Sequence, residues 1–472
     1  MDGLECSEIM LSQTKLYEPF RIDSHFYEKK YRRLKAVLSA YSCLPIKDLV
    51  AKTIQTGHTP SMAVDSYYGG EIALIKTDNV HDNSISTSFS DYLTSEGNAV
   101  IARTSLASGD IITTIIGATE NVIARSAMIT EEYLPANINQ NIVQIRIDPS
   151  KVSPEYVNTY LNTKYGKDYL VYYSRQTEQF NLNCKEVEIV MIPLLSDRFQ
   201  HEIACCVRKA QRLQADSRSK YSASENGLRA LLSIEETDPK HPVFAIKQLS
   251  ESFVKTGRFD AEYYQPKYEH IMDCLHTEET VRSICKGIYD DAFIPKEQNE
   301  YKYIELANVG NSGDISDLDS VLGKDLPSRA RRKVTKGQII ISSVEGSLQS
   351  CALITDEFDG ALCSTGFYVL DSDRINSETL LVLFKSEPIQ ALLKQRCSGT
   401  ILTAISKDEL LNMPLPYIDA DAQKEIAAII QESFALRRKS KELLECAKQA
   451  VEMAIEQGED AAISWLNNRV RI

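Results

Sequence analysis

Several features that membrane proteins and many enzymes require are absent from this 472-residue sequence. No run approaches the roughly 18–20 apolar residues of a membrane helix, and the acidic start, Met1–Glu5, is unlike a secretory signal. The eleven cysteines are scattered and form no Cys-x-x-Cys pair, which favours reduced thiols over a zinc site or a disulfide framework. We therefore expect a cytoplasmic protein.

Motifs that carry catalysis are missing as well. The sequence has no Gly-x-x-x-x-Gly-Lys phosphate loop, no Gly-x-Gly-x-x-Gly turn, no His-Glu-x-x-His and no Gly-x-Ser-x-Gly elbow. Its seven histidines are spread without metal-ligand spacing, and it lacks the Asn-Pro-Pro-Tyr type of motif with which adenine methylases hold a flipped base. We predict no catalytic site, no metal site and no cofactor of its own.

The composition is that of a folded chain with more than one domain. Hydrophobic residues make up 43%, enough for packed interiors, and 472 residues exceed one ordinary core. The formal net charge of −13 argues against a general coat for nucleic acid. It leaves room for a protein whose basic residues are concentrated on one face.

An internal repeat covers about half the chain. The segment RIDSHFYEKKY at 21–31 recurs as RFDAEYYQPKY at 258–268. Four more pairs follow in the same order at a nearly constant spacing: 75–80 with 304–309, 108–112 with 336–340, 152–155 with 375–378, and 200–203 with 423–426. Because ordered matches of this kind are not expected by chance, the two halves should share one fold.

Each half has the same succession of elements. A lead-in is followed by about 150 residues of short β-type runs punctuated by Gly, Asn, Asp and Ser. A short helix is predicted at Pro154–Lys164 and at Glu378–Phe384, and a long helix closes each half. The heptad a/d positions of the first long helix are Ile203, Cys206, Ala210, Leu213, Ser217, Lys220, Ser224, Gly227 and Leu231. Those of the second are Ile426, Ile429, Ser433, Leu436, Ser440, Leu443, Ala447, Ala450 and Ala454.

These patterns predict an α+β protein with two pseudo-symmetric β-rich domains separated by two long antiparallel helices that form a coiled coil. The residues expected in its seam are Ile203, Cys206, Ala210, Leu213, Ile426, Ile429, Leu436 and Leu443. The alternative is that each helix packs on its own globular domain. The predicted boundaries are 1–196 for the first β-rich domain, 197–236 for the first helix, 237–420 for the second domain and 421–472 for the second helix.

Two similar but divergent domains suit a target with two similar but different parts. Duplex DNA is such a target, because base edges are read in discrete stretches and a dimeric reader takes its spacing from its symmetry. Segments 21–35 and 321–336 each carry an excess of Lys and Arg that can neutralise phosphates. An ordinary solvated basic surface is the competing interpretation of either segment.

Several motifs, in their order, resemble the DNA-specificity subunit of type I restriction–modification systems. Residues 56–61 (TGHTPS) resemble the Gly-x-Thr-Pro-Ser turn that opens a target recognition domain in this family, and residues 67–72 and 75–80 resemble the segments after it. Residues 109–112 and 337–340 are similar to its glycine-led strand, and residues 136–142 to its Asn/Gln-containing strand. The second half departs from the pattern, because no Thr-Pro-Ser turn follows Ile288.

The resemblance implies a non-catalytic subunit. In such a family each recognition domain reads half of a bipartite sequence in double-stranded DNA, and helical regions set the spacing and dock two DNA adenine methyltransferase subunits. S-adenosylmethionine is then expected on those subunits, and ATP on a separate restriction subunit where one is present. No membrane partner is implied.

Candidate base or phosphate contacts are polar and basic residues near the ends of short strands, where side chains can reach base edges. In the first half they are Thr56, His58, Thr59, Ser61, Asn79, Arg125, Arg175, Gln176 and Gln179. In the second half they are Arg329, Arg331, Arg332, Lys333, Ser343, Ser347, Gln349, Arg396, Ser398 and Thr400.

Two other functions stay open at this point. A protein-binding scaffold with duplicated heads is mildly favoured by the pI of about 5.2. A nuclease or methylase in its own right would need motifs that the sequence does not contain.

Overall fold

The computed structural model describes residues 9–14, 21–87, 89–120, 122–176, 179–232, 244–310, 312–316, 318–399 and 403–470. The chain divides into two compact units. The first unit is Met1–Ala215 with Arg437–Ile472, and the second is Asp216–Leu436. Each long helix therefore contributes one part to each unit. The boundaries predicted from the sequence instead set the two helices apart as separate segments.

The first half of the chain contains short strands and one long helix. Its strands are β1 Cys43–Pro45, β2 Gln55–Thr56, β3 Tyr68–Ile75, β4 Val80–His81, β5 Ser84–Ile85, β6 Tyr92–Leu93, β7 Ile111–Thr114, β8 Ile116–Gly117, β9 Ser126–Met128, β10 Ala136–Ile138, β11 Ile142–Ile145, β12 Arg175–Gln176, β13 Phe180–Asn181 and β14 Met191–Pro193. Its helices are α1 Leu11–Thr14, α2 Lys29–Leu38, α3 Ile46–Leu49, α4 Ser95–Val100, α5 Pro154–Leu161, α6 Lys164–Tyr173, α7 Cys184–Glu188 and α8 Asp197–Leu231.

The second half repeats this succession. Its strands are β15 Gly287–Tyr289, β16 Glu300–Ile304, β17 Ser320–Leu322, β18 Ala330–Lys333, β19 Ile339–Ser342, β20 Cys351–Leu353, β21 Leu362–Ser364, β22 Phe367–Asp371, β23 Cys397–Ser398 and β24 Ala404–Ile405. Its helices are α9 Phe253–Thr256, α10 Pro266–Leu275, α11 Val281–Ile284, α12 Ser377–Lys385, α13 Glu387–Arg396, α14 Lys407–Leu411, α15 Ala420–Gln457 and α16 Glu459–Val470.

The two units have equivalent sheets. A four-stranded antiparallel sheet runs β2-β11-β7-β9 in the first unit and β15-β22-β19-β20 in the second. Beside it, β10 pairs in parallel with β3, and β21 pairs in parallel with β16. The predicted α+β class is confirmed, and the predicted repeat is present as a repeated strand order.

The central strands follow from their sequence. Strands β7 and β19 are buried along their whole length, and their Ile-rich composition suits a strand that is covered on both faces. Each is entered through a glycine, Gly109 with φ +88° and Gly337 with φ +87°. Because only glycine adopts this conformation without strain, the two equivalent turns require it.

The repeat extends to individual side chains of the basic segment 21–35. The guanidinium of Arg21 is paired with Asp23 and donates to backbone carbonyls that follow α6. The guanidinium of Arg258 is paired with Asp260 and donates to the equivalent carbonyl that follows α13. Arg21 is thus bonded within the protein and buried. It is therefore not part of the basic surface predicted for this segment.

The two long helices run antiparallel to each other within each unit. In the first unit, Cys206 Sγ lies 3.3 Å from the carbonyl oxygen of Leu443, and Ser440 Oγ donates to the carbonyl oxygen of Ala210 at 2.7 Å. In the second unit, the Oγ atoms of Ser217 and Ser433 are 3.0 Å apart, both fully buried. Small side chains let the helix backbones approach closely at these levels.

Most of the residues expected in the seam are buried. Those that the structure buries are Ile203, Cys206, Ala210, Ile426 and Leu443. Leu213, Ile429 and Leu436 are half-buried. After Ser217 the heptad position Ser224 is buried as predicted. Tyr221 and Leu228 of α8 are buried as well, each one residue after the heptad positions Lys220 and Gly227.

A glutamine fixes the start of each long helix in the same way. Gln200 Nε2 donates to the carbonyl oxygen of Leu195 at 2.9 Å, and its Oε1 accepts from the amide of Ser153 at 3.0 Å. Gln423 makes the equivalent bonds, 2.8 Å to the carbonyl oxygen of Ile418 and 2.9 Å from the amide of Asn376. Gln200 therefore ties α8 to the start of α5, and Gln423 ties α15 to the start of α12.

Within the described ranges, no helix combines the length and apolar character that crossing a membrane requires. Across the same ranges no group of three His, Cys, Asp or Glu side chains is arranged to hold a metal ion. The ten cysteines that lie there are free thiols.

Candidate nucleic-acid interface

Three loops of the first unit meet at one end of its central sheet. Thr56 at the end of β2 pairs with Val143, Ile142 at the start of β11 pairs with Thr114, and the end of β7 faces Ser126 at the start of β9. In an antiparallel sheet these strand ends share one edge. We call the described residues of 56–61, 115–125 and 138–141 the first loop end.

The loop after β2 gathers four of the predicted residues: Thr56, His58, Thr59 and Ser61. It lies tightly against the segment before β11, since a Cβ on Gly57 would approach the carbonyl oxygen of Ile138 to 2.0 Å. Thr59 Oγ1 donates to Gln140 Oε1 at 2.6 Å, and His58 and Ser61 are exposed. Gln140 therefore belongs with these residues at the first loop end. It was not among the predicted contact residues, although it lies within the predicted motif at 136–142.

A β-hairpin brings further predicted residues to the same edge. Strand β13 pairs with β12 and with β8, which directly follows the central strand β7. Arg175 and Gln176 form β12, and Gln179 precedes β13; the side chain of Gln176 lies outside the described part. Arg125 is half-exposed beside them, and its backbone pairs with Thr114.

An open cleft of about 590 Å³ adjoins the first loop end, and Thr56, Ile115, Leu182, Asn183, Cys184 and Lys185 line it. Burial raises the pKa of the Cys184 thiol, so the thiol stays protonated near neutral pH and is a poor nucleophile. The Lys185 ammonium projects into solvent and pairs with Glu188 at 2.9 Å. The cleft thus offers hydrogen-bond donors rather than covalent chemistry.

Asn79 lies elsewhere and has a local role. Its side chain is buried, and its Oδ1 accepts from the amide of Lys76 at 3.0 Å. Asn308 makes the same bond to the amide of Glu305 at 2.7 Å. Both asparagines close a turn after a strand, so Asn79 is not part of the surface proposed below. Nothing in the sequence distinguishes an asparagine that closes a turn from one that is exposed.

The second unit has an equivalent loop end. Tyr289 pairs with Val369 and Ser342 with Phe367, while Cys351 faces Ile341. We call the described residues of 290–295, 343–350 and 364–366 the second loop end. The predicted residues Ser343, Ser347 and Gln349 lie in the connection from β19 to β20.

The serines of that connection have partners inside the second unit, and Gln349 is not buried. Ser343 Oγ donates to the carbonyl oxygen of Gly366 at 2.9 Å, and Ser347 Oγ lies 2.9 Å from Ser342 Oγ. The side chain of Gln349 is exposed. The serines therefore shape the loop, and Gln349 presents an amide to solvent.

The predicted basic segment forms the edge strand β18 beside this loop end. Arg329 is exposed at its start, and its carbonyl oxygen accepts from the amide of Thr365 at 2.9 Å. Arg331 Nε donates to the carbonyl oxygen of Ser328 at 3.0 Å. The Arg332 guanidinium lies 5.4 Å from the ring centre of Tyr368, and Lys333 Nζ lies 5.6 Å from that of Phe293. Four adjacent cationic side chains thus lie along one sheet edge, two of them over aromatic rings.

Arg175 in β12 and Arg396 at the end of α13 pair with carboxylates at equivalent positions of α7 and α14. Arg175 Nε lies 3.0 Å from Glu186 Oε1, and Arg396 Nη1 lies 3.1 Å from Glu409 Oε2. The Arg396 side chain is 13% exposed and that of Arg175 is 48% exposed, so Arg175 is the more accessible to a ligand. Ser398 is exposed in β23, and Thr400 lies outside the described residues.

The loops after β2 and β15 differ in charge. Where the first unit has Gly57 and His58, the second has Asp290 and Asp291. The Lys407 ammonium, 2.6 Å away, lowers the pKa of Asp290. The two loop ends therefore have the same construction and unlike chemistry.

Comparison with known proteins finds a sequence relative of described function. No model of a known protein family matches the chain. Over 144 residues the chain is 26% identical to the type I restriction enzyme EcoBI specificity subunit of Escherichia coli, a match that covers 30% of this chain and 29% of that protein. The match thus spans under a third of the relative's length, and the resemblance that the motifs predicted is confirmed.

Solved structures that resemble the chain carry the same description. The S subunit of the type I restriction–modification system from M. genitalium is 14% identical, with a TM-score of 0.33 over 90% of this chain and 96% of that one. The HsdS subunit from Thermoanaerobacter tengcongensis is 16% identical, with a TM-score of 0.30 over 89% of this chain and 97% of that one. Both TM-scores are too low to support an inference about function.

Proposed function

We propose that this chain is the non-catalytic DNA-specificity subunit of a type I restriction–modification system. The sequence match to the EcoBI specificity subunit is the observation that carries the proposal. Each unit would read one part of a bipartite target in duplex DNA through its loop end. The repeated strand order supports two readers, and the unlike chemistry of the loop ends supports two different half-sites.

The charge distribution is compatible with this role. The net charge of −13 is unfavourable for binding DNA as a whole, but Arg329 and Arg331 to Lys333 concentrate cationic groups at one loop end. Phosphate contacts of this kind position a reader, whereas amides and hydroxyls such as those of Gln349 and Ser61 read base edges. Binding would therefore weaken steeply with salt.

The partners follow from the same proposal. Two DNA adenine methyltransferase subunits would supply the catalytic sites with S-adenosylmethionine, and a restriction subunit, where present, would supply ATP-driven cleavage. The exposed faces of α8 and α15 are the surfaces that we assign to docking and to setting the half-site spacing.

A selection from randomised duplex DNA tests the proposal. The purified full chain should enrich duplexes that carry two short conserved stretches separated by unspecified bases, and its affinity should fall by orders of magnitude between about 50 and 200 mM salt. Replacing His58 and Ser61 together by alanine should relax one stretch only. Lys47→Ala is the matched control, because Lys47 is exposed in α3 at the opposite end of the same sheet.

A protein-interaction scaffold is the second candidate function. The acidic net charge favours it, as do exposed apolar side chains between 244 and 259, among them Ile246 at 91% and Phe259 at 72% exposure. A scaffold would enrich no sequence from the pool, and its retention of duplex DNA would not depend on base composition.

A further inference from the structure

Two buried polar side chains occupy equivalent places beneath the two loop ends. Asn162 follows α5 and is 3% exposed, and Lys385 ends α12 and is 4% exposed. Neither residue reaches solvent, and neither belongs to the exposed candidate contacts. Each is placed at the point where a short helix passes under the central sheet.

In the first unit, Asn162 joins two loops. Its Nδ2 donates to Asn83 Oδ1 and to the carbonyl oxygen of Ser126, each at 3.0 Å. Asn83 lies in the turn between β4 and β5 with φ +58°, and Ser126 directly follows the candidate contact Arg125. A second amide, that of Asn158, donates to the same Asn83 Oδ1 at 3.0 Å.

In the second unit, Lys385 joins the equivalent loops. Its Nζ donates to the carbonyl oxygens of Gly310 at 3.2 Å, Gln349 at 2.6 Å and Cys351 at 3.4 Å. Cys351 begins β20 as Ser126 begins β9, and Gly310 follows β16 as Asn83 follows β3. An ammonium has three donors, and each of the three has an acceptor here.

We infer that Asn162 and Lys385 are positioning residues that fix the loops carrying Arg125 and Gln349. Where it concerns base specificity, this inference rests on the proposed function. The Asn162 amide and the Lys385 ammonium both donate to the carbonyl oxygen of the residue that begins β9 or β20, Ser126 or Cys351. An amide and an ammonium at the same place in two units, despite their different chemistry, point to a shared requirement for a donor at this position. The carbonyl oxygens of Ser126 and Gln349 also accept from the backbone amides of Asn83 and Cys351, so removal of the side-chain donor takes away the bond between helix and loop and should release the loop locally.

Hydrogen exchange of the full chain tests the positioning role without DNA. In Lys385→Met, amides of 343–351 should exchange about tenfold faster or more, because charge-assisted hydrogen bonds to two of these carbonyls are lost. Amides of β7 in the first unit should not change. Lys385→Gln, which keeps donors, should show a smaller increase, and it carries the test if the methionine variant does not fold.

Asn162→Leu is the matched variant in the first unit. It should accelerate exchange at 122–128 and leave 343–351 unchanged. An equal acceleration throughout the altered unit would mean general destabilisation and would overturn the inference, as would unchanged exchange in both loops.

Selection from randomised duplex DNA then separates specificity from loop order. Lys385→Met should relax the base preference of one half-site, and Asn162→Leu that of the other. If both preferences persist while the loops exchange faster, the two residues do not control specificity. If the unaltered chain itself enriches no sequence, the proposed function fails, and the exchange data still decide whether the loops are held by these donors.

Discussion

Asp110 and Gln338 hold the same turn in the two units with different charges. Asp110 Oδ2 accepts from the amide of Ala107 at 2.8 Å, and Gln338 Oε1 accepts from the amide of Thr335 at 2.8 Å. Asp110 is buried and also binds Arg146, Nε to Oδ1 at 2.6 Å. The first turn therefore depends on a buried carboxylate that is paired with a half-exposed arginine, and the second on a neutral amide.

We predict that Asp110→Ala destabilises the first unit by about 3 kcal/mol, because it removes a buried carboxylate that accepts from Ala107, Gln144 and Arg146, each hydrogen bond contributing about 1 kcal/mol. The sole tryptophan, Trp465, packs on the core of this unit, so denaturant unfolding followed by its fluorescence measures the loss. Gln338→Ala, which costs about 1 kcal/mol in the second unit, should leave the Trp465 transition in place. Equal shifts for the two variants would contradict this account.

Glu279 predicts acid sensitivity in the second unit. Hydrogen bonds from Arg374, and then from Ser283, lower the pKa of Glu279 to about 2, from an ordinary value of 4.5. Because the folded pKa lies below the unfolded one, the stabilising contribution is present above about pH 4.5 and is lost as the pH falls toward 2.

Glu279→Gln should therefore make the loss of stability between about pH 4.5 and 2 shallower. Circular dichroism during denaturant unfolding at a series of pH values measures this. Glu278→Gln removes the adjacent carboxylate outside the Arg374 pair and is the control. If the two variants followed the same pH dependence, the ion pair would not be the source.

For single residues, the sequence shows which side chains can donate hydrogen bonds, but not whether they are exposed in the fold. Arg175, Arg396 and Asn79 were predicted as contacts from their donor groups alone. The structure gives each of them an intramolecular partner through chain segments that lie apart in sequence or through a local turn. Only folding brings Glu186 to Arg175 and Glu409 to Arg396, so exposure could not be inferred before the fold was known.

Among the elements, the helix pair depends on small residues at its contacts. Ser433 is fully buried, and its Oγ donates to the carbonyl oxygen of Ser217 at 2.7 Å. We predict that Ser433→Ala costs about 1 kcal/mol through the lost hydrogen bond. Ser433→Leu should cost more, about 1–3 kcal/mol beyond that loss, because the added methylenes have no space.

Thermal unfolding of the two Ser433 variants compares these costs. Glu432→Ala is the control, since Glu432 is exposed and its pair with Lys220 is a surface pair worth at most about 1 kcal/mol. Greater stability of the leucine variant than of the alanine variant would show that the seam has room, contrary to the prediction.

The heptad pattern predicted the first half of this seam better than the second. Ile203, Cys206, Ala210 and Ser217 are buried as the repeat requires. An α-helix has about 3.6 residues per turn rather than 3.5, so a buried stripe drifts from a strict heptad. After Ser217 the heptad position Ser224 is still buried, but Tyr221 and Leu228 are buried in place of Lys220 and Gly227, one residue later, a shift that the sequence marks only weakly.

For the whole molecule, the proposed function predicts that the half-sites are independent. Exchanging residues 40–195 for the same region of a relative should change one half of the selected DNA sequence and leave the other half as it was. Deleting seven residues, two turns, from α8 should change the spacing or abolish binding. An exchange that altered both halves, or neither, would contradict the two-reader proposal.

The sequence predicts the architecture that the two halves share, but it does not predict the surfaces of the loop ends. The repeat identified two units of one fold, and strand β15 is present even though the Thr-Pro-Ser turn after it is missing. The repeated contacts that build the core constrain both halves alike. The loops after β2 and β15 have different partners, with Gly57 packed against Ile138 and Asp290 paired with Lys407, so the two loops cannot be aligned by pattern.

Gln200 and Gln423 make the same two backbone bonds at the same junction, and this has a consequence for how such proteins change. A replacement module needs only a carbonyl and an amide at the right places to fit a glutamine that is already there. If the chain has the proposed function, a new half-site preference would be acquired by transplanting a whole half with this joint kept. The side-chain amide of Gln200 or Gln423 is thus the part of the junction that stays the same when one half is exchanged.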